Sequence, residues 1–92
     1  MKTIWKYKLS IAAYQTVEIP QGAQLLATQT LAGDLCLWAL VDPKNVLEKR
    51  EIEIFGTGHC IGERNRNYIG TAQIQSAPLV LHVFEILKNE DN

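Results

Sequence analysis

Apolar and polar residues alternate with period two in stretch after stretch of this chain. Turn-forming residues break the pattern before any stretch reaches the length of a stable helix. In residues 3–9, Trp5, Tyr7 and Leu9 fall on one side and Ile4, Lys6 and Lys8 on the other. Val17 and Ile19 oppose Thr16 and Glu18, and Ile52 and Ile54 oppose Glu51 and Glu53. Side chains of an extended strand point alternately to two faces, so the pattern puts one face in a core and the other in water. The breaks fall at Pro20-Gln21-Gly22, Ala32-Gly33-Asp34, Asp42-Pro43 and Ser76-Ala77-Pro78. Proline lacks the N–H that a ladder needs, and glycine reaches the positive φ of tight turns.

Strands are predicted over residues 3–9, 15–19, 23–31, 35–41, 51–55, 68–75 and 79–87. The third and fourth join through a short glycine turn and read as a hairpin. The run LCLWALV, residues 35–41, is apolar on both faces, which predicts a strand that is central or covered on both sides, with Trp38 in the core. LVLHVFEIL, residues 79–87, follows a proline and is rich in valine, isoleucine and phenylalanine, so it reads as a strand rather than a buried helix. Residues 43–49 offer the one place for a helical turn, or an irregular loop. The expected fold is all-β: a small antiparallel sandwich or partly open barrel of about seven strands. The 92 residues make one domain with a small core, and a polar tail over 88–92 is expected to fray.

The net charge of −1 excludes a broad field for nucleic acid, and no run approaches the ~20 apolar residues of a membrane helix. MKTIWKYK carries positive charges with no apolar segment behind them, so no secretory signal is expected there. A cytosolic chain keeps Cys36 and Cys60 as reduced thiols.

Six segments occur in a fixed order: WKYKL, VEIPQGAQLL, CLWALVDP, IFGTGHCI, NYIGT and LVLHVFEIL. In this series the chain resembles a family of very small proteins encoded by tailed bacteriophages and prophages, over nearly its whole length. The resemblance implies a phage origin and a life in the cytoplasm of an infected bacterium. It brings no catalytic or ligand residues with it. Small phage proteins of this kind imply an accessory role, such as binding and neutralising a host defence component.

The stretch FGTGHCIGERNRNYIGT, residues 55–71, is the candidate site. Glycines let backbone N–H groups approach a ligand, and consecutive N–H groups can form an anion nest. Gly56, Thr57, Gly58, His59, Arg64, Arg66 and Tyr68 would then hold a small anionic, nucleotide-like signal. The stretch matches neither a phosphate loop nor a dinucleotide fingerprint, and the bland alternative is a wide turn with solvated arginines. Trp5, Tyr7, His82 and Phe84 are candidates for an interface, with a host protein or with a second copy. The run at 79–87 could pair across a two-fold axis, which predicts a homodimer.

Three further readings compete. A hydrolase would use Cys60 with His59 or His82, although adjacent residues of a strand point apart. A minor virion or assembly protein would need only surfaces. Trp5 and Tyr7 beside Lys6 and Lys8 could stack bases, but the charge balance favours packing. No metal ligand pair has the required spacing, no cofactor is expected, and Glu51 and Glu53 read as a solvated face.

Overall fold

The computed structural model describes residues 1–88, and in them seven strands form two antiparallel sheets. The strands are β1 (Thr3–Lys8), β2 (Tyr14–Pro20), β3 (Gln24–Leu31), β4 (Asp34–Val41), β5 (Leu47–Gly56), β6 (Arg66–Ile74) and β7 (Leu79–Ile86). One sheet has the order β1-β4-β3, the other β2-β5-β7-β6, and they do not close into a barrel. The all-β expectation holds. The alternation works as its period requires: Leu35, Leu37, Ala39 and Val41 of β4 face Ile52, Ile54, Leu81 and Val83 of the larger sheet across one apolar core. Each fully buried aliphatic side chain contributes roughly 1.5–3 kcal/mol.

The hairpin turn between β3 and β4 is as tight as expected, with Leu31 paired to Asp34 and positive φ at both Ala32 and Gly33. Positive φ at both central residues suits the right-handed twist of the flanking strands. The two sheets meet where β3 comes against β6. Both strands carry a register shift there, between Leu25 and Ala27 and between Tyr68 and Gly70. Such irregularities bend a strand and re-aim its side chains. A Cβ on Gly70 would lie 2.9 Å from Thr28 Cγ2, so glycine permits the approach. Nearby, the Thr30 hydroxyl donates to the Gln73 carbonyl at 2.7 Å.

Residues 43–45 form a turn and bend, the loop rather than the helical turn of the two forms expected there. Three expectations are corrected. β5 begins at Leu47 instead of Glu51. The alternation was hidden because Glu48 and Arg50, both charged, take the inward positions ahead of Ile52. β7 lies between β5 and β6, so both its edges are already hydrogen-bonded and it cannot pair across a two-fold axis. Trp38 lies on the outer face of its sheet, half-buried, because the inward register of β4 belongs to Leu37 and Ala39. Of the 88–92 tail, residues 89–92 lie outside the described residues.

Arg50 reaches into the rim of the core and clasps the buried Glu85 of β7 with two nitrogens, Nη2 to Oε1 at 3.0 Å and Nε to Oε2. Its Nη1 donates to the Ala23 carbonyl at 2.9 Å. The hydrogen bonds to Glu85 outweigh desolvation and hold the guanidinium's pKa above its ordinary value. Removing one member strands a charge in a dry place, whereas replacing both by apolar residues is often neutral. Glu85→Ala should therefore cost about 3 kcal/mol in urea unfolding. Arg50→Met combined with Glu85→Leu should recover most of that loss; a double variant no more stable than Glu85→Ala contradicts this account.

Candidate functional site

The outward face of the four-stranded sheet gathers most of the candidate residues. Glu53 and Phe55 of β5, His82 and Phe84 of β7, and Arg66, Tyr68 and Thr71 of β6 stand side by side, with Phe84 opposite both Glu53 and Tyr68. The Phe55 and Phe84 rings meet edge to face at 5.8 Å, and Tyr68 tilts against Phe84 at 5.3 Å. Offset and edge-on contacts of this kind match the ring quadrupoles. The Arg66 guanidinium lies 5.3 Å over the Phe55 ring, a cation–π contact. Phe55 and Phe84 are half-buried beneath Tyr68, which is 59% exposed.

Arg66 is committed to the fold. Its Nε donates to Glu53 Oε1 at 2.7 Å and its Nη1 to the Gly62 carbonyl at 2.7 Å, leaving its side chain 11% exposed. These bonds fasten the loop between β5 and β6 to the sheet. The Leu87 N–H adds a second fastening at the Asn65 carbonyl, at 2.9 Å. Arg64 differs: it stands 3.8 Å from Glu53 Oε2 and its side chain is 51% exposed. Glu51, Glu63 and Lys88 line the same hollow as Arg64, and with Glu53 the carboxylates balance the cations there.

The two histidines hold separate places. His59 follows the turn after β5. Its ring Nδ1 accepts from the Gly56 N–H at 3.1 Å, and its main-chain N–H donates to the Gly56 carbonyl at 3.2 Å. His82 lies on the sheet between two hydroxyls, Nε2 to Thr57 Oγ1 at 2.7 Å and Nδ1 to Thr71 Oγ1 at 3.1 Å. Thr71 in turn contacts the Tyr68 hydroxyl. This chain fixes the His82 ring and links the turn to the aromatic cluster. Cys36 is buried with its thiol on the Asp34 carbonyl and Cys60 is exposed, and neither imidazole is hydrogen-bonded to a thiol.

The structure thus links Thr57 to Tyr68 through His82 and Thr71, and sets Arg66 over Phe55, next to Gly56, while Gly58 and His59 stay in the turn and Arg64 stands at the margin. It also joins His82 and Phe84 to that group. It does not bring Trp5 and Tyr7 there. They lie on β1 of the other sheet, Tyr7 packed against the core, where burial raises its phenol pKa, and Trp5 40% exposed. Glu53, Phe55 and Thr71 are the partners that sequence reasoning missed. Phe55 stands two residues after Glu53 on the outward register, and an aromatic among carboxylates was the available signal. Tyr14 completes the face from β2, donating to Glu51 Oε1 at 2.8 Å. Among the described residues no three His, Cys, Asp or Glu side chains are grouped to hold a metal ion, and no helix is long and apolar enough to cross a membrane.

The fold and this face define a two-sheet β domain with an aromatic outer surface. Residues 1–92 match the model of a family described as a domain of unknown function, DUF7352, and the chain belongs to that family. No curated protein and no solved structure matches it.

Arg66→Ala should cost about 2 kcal/mol and expose the Leu87 amide to hydrogen exchange, because a nearly buried, charge-assisted pair is broken. Arg64→Ala should change stability by under about 0.5 kcal/mol. Equal effects of the two would contradict the division of roles. Hydrogen bonding to Glu51 chiefly raises the Tyr14 pKa, since ionising the phenol loses the bond and sets two anions together. Glu51→Gln should lower that pKa toward the ordinary tyrosine value in an absorbance titration.

Proposed function

We propose that this chain is a non-enzymatic binding protein whose partner is a protein, engaged through the outward face of the four-stranded sheet. The observation that carries the reading is the cluster of Tyr68, Phe84 and Phe55 beside the Glu53–Arg66 pair. Aromatic residues and arginine dominate the binding energy of protein interfaces, where a rigid ring loses little entropy on burial. Tyr68 is the exposed member, and its place is already set by Phe84 and Thr71. An anionic nucleotide is the weaker reading, because Arg66 is spent on Glu53 and the acidic neighbours cancel the remaining field. The resemblance to phage proteins supports a host component as that partner, such as a defence protein, met in the bacterial cytoplasm. A role in the virion would use the same face against a structural protein.

A photo-crosslinking residue placed at Tyr68 should give one discrete protein adduct in phage-infected cells, and the same residue at Trp5 should not. Tyr68→Asp should abolish co-purification of that partner while the chain still unfolds cooperatively, with a loss of about 1 kcal/mol from the Phe84 contact. Equal adducts from both positions would overturn the reading. So would a small adduct in native mass spectrometry that is lost with Arg64→Ala, which would favour the anionic signal.

A further inference from the structure

A groove of about 550 Å³ opens at the end of the sandwich, and Thr57 on its rim is hydrogen-bonded to His82 of the outer face. It lies between the β1–β2 connection, the end of β5 and the start of β7. Ile54 and Leu81, both core residues, reach its floor, and Ile11, Leu79 and Val80 form walls that are 56%, 44% and 40% exposed. Among the described residues, none that lines it carries a charge. The volume is that of a small-molecule site, and an exposed apolar concavity of this kind marks a binding surface.

The groove has a polar edge, and the fold fixes its chemistry. His59 lines it, and the ring lies against Gly56, where a Cβ would come within 3.0 Å of Cε1. Glycine at 56 lets the ring lie this close, where a Cβ would make it give by a few tenths of an ångström, and Gly58, at φ +91°, turns the chain to bring it there. Because Nδ1 accepts the Gly56 N–H, the neutral ring carries its proton on Nε2. That N–H has no protein partner among the described residues, and because His59 is exposed solvent reaches it. A ligand acceptor in the groove would take the solvent's place.

We propose that this groove binds a small uncharged molecule with an apolar body and one hydrogen-bond acceptor, which takes the His59 Nε2–H. A charged group would have no counter-ion in the groove and would pay for desolvation. The groove borders the Tyr68 face through the Thr57–His82 bond, but its lining does not include Tyr68, Phe55 or Phe84, and the proposal does not depend on that reading.

Three related fragments test it on the whole chain by amide NMR titration: acetophenone, ethylbenzene and benzoate. Acetophenone should shift the Ile54, Gly56 and Leu79–Leu81 amides and bind about fivefold tighter than ethylbenzene, the worth of one neutral hydrogen bond. Benzoate should bind more weakly than acetophenone. His59→Ala should remove the acetophenone preference while ethylbenzene still binds. Val80→Lys, on the exposed wall, should weaken both, with the spectrum confirming that it folds. The proposal is overturned if no fragment shifts these amides, if benzoate binds best, or if His59→Ala keeps the preference. It is also overturned if the same amides shift on dilution alone, which would make a second copy the occupant.

Discussion

Glu53 stands on β5 opposite Phe84 and takes the Arg66 guanidinium at 2.7 Å, with both side chains mostly withdrawn from water. A charge-assisted bond in that setting is strong and is little screened by salt. Its consequences spread in three directions. The guanidinium is laid over Phe55, its second arm catches the Gly62 carbonyl and closes the loop, and Tyr68, two residues on, is delivered against Phe84. The pair also removes the charge that an anion nest would use, which turns a glycine-rich loop with two arginines into a fastened rim beside an aromatic surface.

The two sheets present different outer faces. The smaller one shows Ile4, Lys6, Trp38 and Leu40 around its central strand, with Lys8 paired to the Asp34 carboxylate at 3.5 Å. The larger one has its rings packed on each other and its hydroxyls and imidazole joined in a chain from Tyr68 to Thr57. Pre-ordered side chains of that kind lose less entropy when a partner covers them. The groove at the sandwich end is built otherwise, from core residues that run out of cover and one imidazole held by a backbone N–H.

The fold was legible because its signals are local. Alternation in β1, β2 and the second half of β5, and the glycine turn between β3 and β4, depend only on near neighbours in the chain. The first half of β5 was not legible. Arg50 occupies a core-facing position, and only its distant partners, Glu85 and the Ala23 carbonyl, make that tolerable. The same holds for the site. The glycines, His59 and Tyr68 announce themselves in the sequence, but whether an arginine is available to a ligand depends on which carboxylate lies across the sheet. Glu53 looked solvated because its partner is thirteen residues away, beyond the loop. β7 looked like an unpaired apolar strand because its apolar content does not say which strands flank it.

The most direct test of the aromatic face is hydroxyl-radical footprinting of the chain alone and in complex with the proposed protein partner, once captured by crosslinking at Tyr68. Side-chain oxidation at Tyr68 and Phe84 should fall several-fold in the complex, while Trp5, on the other sheet, keeps its rate. Protection of Trp5 and Trp38 with Tyr68 unchanged would place the partner on the opposite sheet and contradict the account.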